Sequence, residues 1–179
     1  MLIKIKLNLI IFILSLAAHH IYAQEAVKAR LSPLELATVK YESTYIKVTY
    51  GRPHMKGREI FGELVPYGEV WRTGANEATE ITFTNDVKIN NKLLQAGTYT
   101  LFTIPEKDHW KVIFNPDLGQ WGAYNYTPEK NILEIDAKVA ETDVSYEAFT
   151  MEFQLEGDKT NLLMMWENTK AWFTINFLD

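Results

Sequence analysis

LATVKYESTYIKVTY, residues 36–50, is the run whose pattern decides the fold class. Its β-branched and aromatic residues favour extended backbone, and its centre, Glu42-Ser43-Thr44, carries turn chemistry. It reads as a hairpin with strands at about 36–42 and 45–50. In the second strand Ile46, Val48 and Tyr50 alternate with Lys47 and Thr49, so one face is buried and the other wet.

Working outward from the hairpin, the same two-residue period returns after residue 78. Residues 79–84 alternate, and 87–89 and 93–95 flank Asn90-Asn91-Lys92, a tight turn because Asn tolerates positive φ. Residues 97–104 form a strand up to Pro105, Glu106-Lys107-Asp108 turns the chain, and 109–114 return. A strand carrying Ile132, Ile135, Ala137 and Val139 follows, then strands at 148–155, 161–167 and 171–177, the last two joined by a turn at Glu167-Asn168-Thr169-Lys170. No segment sustains a helical period; Glu59–Leu64 has room for one helical turn between flanking Gly and Pro. The expectation is an all-β chain: one antiparallel β-sandwich or jelly-roll-like domain of about nine strands over residues 34–179, with long Gly-rich loops.

The N-terminus reads differently. Lys4 and Lys6 precede an apolar run over 7–18, and Ala23 ends a cleavage site, so residues 1–23 have the form of a signal peptide and 24–33 that of a tether. The apolar run is short of the ~20 residues that span a membrane. A secreted protein, periplasmic or extracellular, is expected. Without Lys4 and Lys6 the 18 basic residues fall to 16 against 23 acidic, a net charge of −7 with His neutral. That balance opposes nucleic acid and anionic membrane surfaces as partners. There is no Cys, so no disulfide framework supports the fold, and stability falls to the core.

Chemistry concentrates in the stretch after the first hairpin, YGRPHMKGREIFGELVPYGEVWRTGANE, residues 50–77. It holds five of the nine Gly and three of the four Arg, namely Arg52, Arg58 and Arg72. Gly at this density marks positive φ or close chain approach, and Arg suits forked recognition of carboxylate or phosphate. With Lys56 these residues make a candidate anion site; the alternative is a brace in which Arg satisfies loop carbonyls and buried carboxylates. Trp71, Trp121 and Tyr124 are candidates for stacking on sugar rings, against the alternative that Trp71 plugs the core. Asn76 and Glu77 would orient polar groups or hold the Arg side chains. Glu77 is the best single carboxylate for acid/base work, with Asp117 or Glu69 as partner, though no spacing fixes a pair. His54 and His109 are too few for a metal site, Ser has no nucleophile-elbow context, and no phosphate loop precedes a helix. No cofactor is implied.

The segments YGRPHMKGREIFGELVPYGEVWRTGANEATEITFTNDVKI, LQAGTYTLFTIP, WKVIFN and QWGAY resemble a family of exported bacterial proteins catalogued only as a domain of unknown function. The resemblance runs from about Ser32 to the C-terminus. It implies a compact, secreted β-rich domain and carries no activity with it. The combined expectation is a non-enzymatic module binding a glycan-like or anionic ligand through Arg52, Lys56, Arg58, Trp71, Arg72, Asn76, Glu77, Trp121 and Tyr124. A hydrolase using Glu77 and a purely structural envelope module are the alternatives.

Overall fold

The hairpin forms as read. In the computed structural model, which describes residues 29–178, β1 (Leu34–Tyr41) pairs antiparallel with β2 (Thr44–Gly51), from Tyr41↔Thr44 to Leu34↔Gly51. Glu42 turns the chain at φ 44°. The expected signal peptide and the start of the tether lie outside the described residues.

Seven more strands follow: β3 (Thr79–Phe83), β4 (Val87–Ile89), β5 (Lys92–Leu94), β6 (Gly97–Pro105), β7 (His109–Asn115), β8 (Leu133–Glu156) and β9 (Lys159–Phe177). All nine form one antiparallel sheet in the order β1-β2-β3-β6-β7-β8-β9-β4-β5, not closed into a barrel. Among the described residues the only helical element is a 3-10 turn at Pro128–Lys130.

Connectivity forces this sheet to fold over. β3 and β4 are five places apart in the order, about 24 Å in a flat sheet at ~4.8 Å per strand. The three residues joining them, 84–86, reach only about 14 Å. The sheet therefore curls until the β4–β5 hairpin lies near β3, and the two residues returning from β5 to β6 make the same demand.

The concave side holds the core. Ile46, Val48 and Tyr50 of β2 join Ile81, Phe83, Leu101, Trp110, Val112 and Phe114 in one buried cluster with Phe149, Met164, Trp166, Phe173 and Ile175. A smaller cluster, Ala78, Phe102 and Ile113, is covered by Ala123 and Tyr126, and the Phe102 and Tyr126 rings lie 4.9 Å apart. Tyr126 is thus what pins the second irregular segment, 115–131, to the sheet.

Three local expectations need correction. Residues 59–64 form no helical turn: Val65 N–H donates to the Ile60 carbonyl and Gly62 N–H to that of Val65, which inserts Ile60, Phe61 and Val65 into the core. Ile132 is exposed, because β8 begins at Leu133 and its inward phase is Leu133, Ile135 and Ala137. Glu167–Lys170 does not reverse the chain. Glu167 adopts φ 55° opposite a register shift around Tyr146, and the strands on either side merge into β9, as 132–139 and 148–155 merge into β8.

Candidate functional site

The site is built on the turn that follows Trp71. Trp71 is a core residue: its ring stacks on Trp166 at 6.0 Å and meets Phe61, Trp110 and Phe149 edge-on. Its backbone exchanges hydrogen bonds with Thr103, and its indole Nε1–H donates to the Gly74 carbonyl at 3.1 Å. Thr73 is fully buried at φ 54°, which is costly for a β-branched residue. It is held there by Thr79 Oγ1–H donating to its carbonyl at 2.7 Å and by its own hydroxyl bonded to that of Thr103 at 3.1 Å. Below the turn, Gly51 lies so close that a Cβ on it would sit 1.9 Å from the Ala75 carbonyl oxygen. A well-held, strained turn therefore projects the residue between Trp71 and Thr73, which is Arg72.

Arg72 lines a cleft of about 300 Å³ with Arg58, Pro53, Leu64, Asn76 and the edges of Trp71 and Trp166. No Asp or Glu is among the described lining residues. The Arg72 guanidinium is half-buried and its Nε–H, shielded from water, meets no acceptor. Burial pulls its pKa down, and the nearby Tyr124 phenol pushes the other way; a guanidinium stays cationic at neutral pH regardless. Arg58 is exposed at the rim, where Nε–H and Nη2–H donate to the carbonyls of Met55 (2.8 Å) and His54 (2.7 Å). These bonds aim one edge of Arg58 at its own loop. Asn76, at φ 64°, donates from its side chain to the Ser32 carbonyl and accepts Gly122 N–H on its backbone. The arrangement presents two fixed cations, an amide and an aromatic floor, with no acid among the described residues that line the cleft.

The remaining candidates lie elsewhere. Arg52 opens on a different groove, where it pairs with Glu35 at 3.1 Å and donates to Thr150 Oγ1 at 3.3 Å. Lys56 is exposed at φ 51°, its backbone N–H on the Glu147 carboxylate. Glu77 bridges the Trp121 backbone, so the two loops run side by side, and its side chain does not line the cleft. Trp121 and Tyr124 are 58% and 84% exposed, the largest displayed aromatics beside this turn. Asp117 is held by Lys130 at 2.7 Å. Trp166, Pro53 and Leu64 were not foreseen as cleft residues. Trp166 sits in a regular strand, where nothing in its neighbours separates a core Trp with one edge on a cleft from any other core Trp.

The family described as "Protein of unknown function (DUF2911)" matches residues 32–175. The chain belongs to this family. The matched region contains the whole cleft apart from Leu31. No curated protein and no solved structure matches the chain.

Proposed function

We propose that this member of the family is an exported binding module whose cleft takes the anionic group of a small or glycan-like ligand. The supporting observation is the half-buried Arg72 guanidinium, which lines a cleft to which no described residue brings a carboxylate. An anion meeting the part of the guanidinium that lines the cleft would make charged hydrogen bonds, worth ~1.5–3 kcal/mol each. Arg72 would hold the anion from the floor and Arg58 from the rim through the guanidinium edge its own loop leaves open. Asn76 would orient a neighbouring hydroxyl or carbonyl, and Trp121 and Tyr124 would give a sugar ring a surface beside the cleft. Hydrolysis by paired carboxylates is the weaker reading, because no described residue brings a carboxylate to the cleft.

The test is titration of the purified protein with sulfate, phosphate and glucuronate against neutral glucose, followed by amide chemical shifts. Saturable shifts at residues 71–76 with the anions and not with glucose are expected. Arg72→Met should weaken anion binding by about tenfold or more, as expected for a lost charged hydrogen bond. Equal response to glucose, or undiminished anion binding by Arg72→Met, would sink the reading.

A further inference from the structure

We infer that a second pocket, between the Tyr67 loop and the bend of β8, is a binding site for an organic cation such as an alkylated ammonium. The pocket has a volume of about 390 Å³; Tyr67, Glu106, Lys107 and Glu141 line it over the largely buried Phe61 and Trp110. It is back to back with the Arg72 cleft: Phe61, which lines one, packs edge-on against Trp71, which lines the other, at 6.1 Å. The two cavities have opposite character. Among the described residues, one is lined by two Arg and no acid, the other by Tyr67, two Glu and Lys107.

Several observations carry the assignment. An ammonium already sits at the pocket: Lys107 Nζ lies 5.9 Å from the Tyr67 ring centroid, within cation–π range. Lys107 is itself exposed, on a β6–β7 turn, so it can be displaced by a cation that fits better. The Tyr67 ring is seated by a specific backbone feature. Gly62 is at φ 100°, and a Cβ there would come within 2.9 Å of Tyr67 Cε2, so only glycine leaves the ring its place. Burial raises the Tyr67 pKa, and Glu167, Glu59 and Glu106 push the same way. Neither Glu106 nor Glu141 is in an ion pair within 4 Å among the described residues, and the same holds for Glu59 and Glu167. These carboxylates do not converge, as no cluster of three acidic or His side chains among the described residues is arranged to hold a metal ion. Dispersed carboxylates beside the partly exposed Tyr67 ring suit a bulky, weakly hydrated cation better than a bare metal.

The probe is choline, with its uncharged isostere 3,3-dimethyl-1-butanol as control. Choline should give saturable shifts at Tyr67, Trp110 and Glu141, and the isostere should bind at least about fivefold more weakly, within the range of a cation–π contact. Tyr67→Ala should weaken choline by a similar factor, and Glu141→Gln, an exposed change that leaves the fold intact, should weaken it too. Lys107→Met should bind choline at least as tightly as the parent, because the resident ammonium is gone. Failure of choline to saturate, equal binding of the isostere, indifference to Glu141→Gln, or loss of binding in Lys107→Met would each overturn the assignment.

Discussion

A guanidinium half withdrawn from water, with one N–H meeting nothing, is a cost to the folded state unless something else needs it. This makes Arg72 a residue whose removal separates function from stability. Arg72→Met keeps an unbranched aliphatic stem and deletes the unmatched donor. Urea unfolding should find the variant neutral or stabilised by up to about 2 kcal/mol. A loss of that size instead would make Arg72 a brace and favour the structural reading. Gly51 is the opposite case. A Cβ at 1.9 Å from the Ala75 oxygen meets backbone, which cannot swing aside, so Gly51→Ala should cost about 3 kcal/mol or more. Gly57 has φ 71° and nothing within 4 Å, so Gly57→Ala should cost only the left-handed penalty of about 1 kcal/mol. The same two unfolding curves measure whether close approach or conformation governs this glycine-rich stretch.

Among the elements, β2 and the distal half of β8 communicate through one side chain. The Tyr50 hydroxyl accepts the Met151 backbone N–H at 3.0 Å. Burial raises the Tyr50 pKa above its ordinary value, outweighing the Met151 bond. A raised pKa means the folded state prefers the neutral phenol. Its contribution is therefore complete below about pH 10 and is lost as pH rises through the higher folded value. Tyr50→Phe should cost about 1 kcal/mol at neutral pH, by stranding Met151 N–H, and should flatten the decline in stability above pH 10. An unchanged alkaline slope would show that Tyr50 is not the group being titrated. The elements also show how far the sequence could be read. The β1–β2 hairpin and the Asn90-Asn91 turn were legible because alternation and turn chemistry agree there; both Asn residues have positive φ, at 47° and 66°. The length of β8 and β9 was not, because a bulge and a turn use the same residues: Glu167 at φ 55° ends a strand only if no partner lies ahead, and β8 supplies one. The Arg-rich stretch was legible as a source of charge. Its division between the cleft of Arg58 and Arg72 and the separate groove of Arg52 was not, since that depends on where β8 crosses.

At the scale of the whole molecule, the sheet curls without closing, and the chain after β2 ties it to β8 far along the order. Met55 N–H donates to the Glu147 carbonyl at 2.7 Å and Phe149 N–H to that of Pro53 at 2.9 Å, with His54 bridged to Ala148 between them. Both amides lie beside irregular chain, yet they fasten one region of the curled sheet to another. Their hydrogen exchange should be slow, approaching that of the central strands β7 and β9, while β5, a three-residue edge strand, exchanges quickly. Pro53 and Trp166 belong both to this fastening and to the Arg72 cleft, since the Trp166 indole N–H donates to the same Glu147 carbonyl that accepts Met55. An anion held by Arg72 would bind only the fastened form, so saturating sulfate should slow exchange at Met55 and Phe149 and leave β5 unchanged. If those two amides exchange as freely as the Lys107 turn, the fastening does not persist in solution and the cleft loses its floor. If they are protected but indifferent to bound sulfate, the anion sits somewhere other than on Arg72.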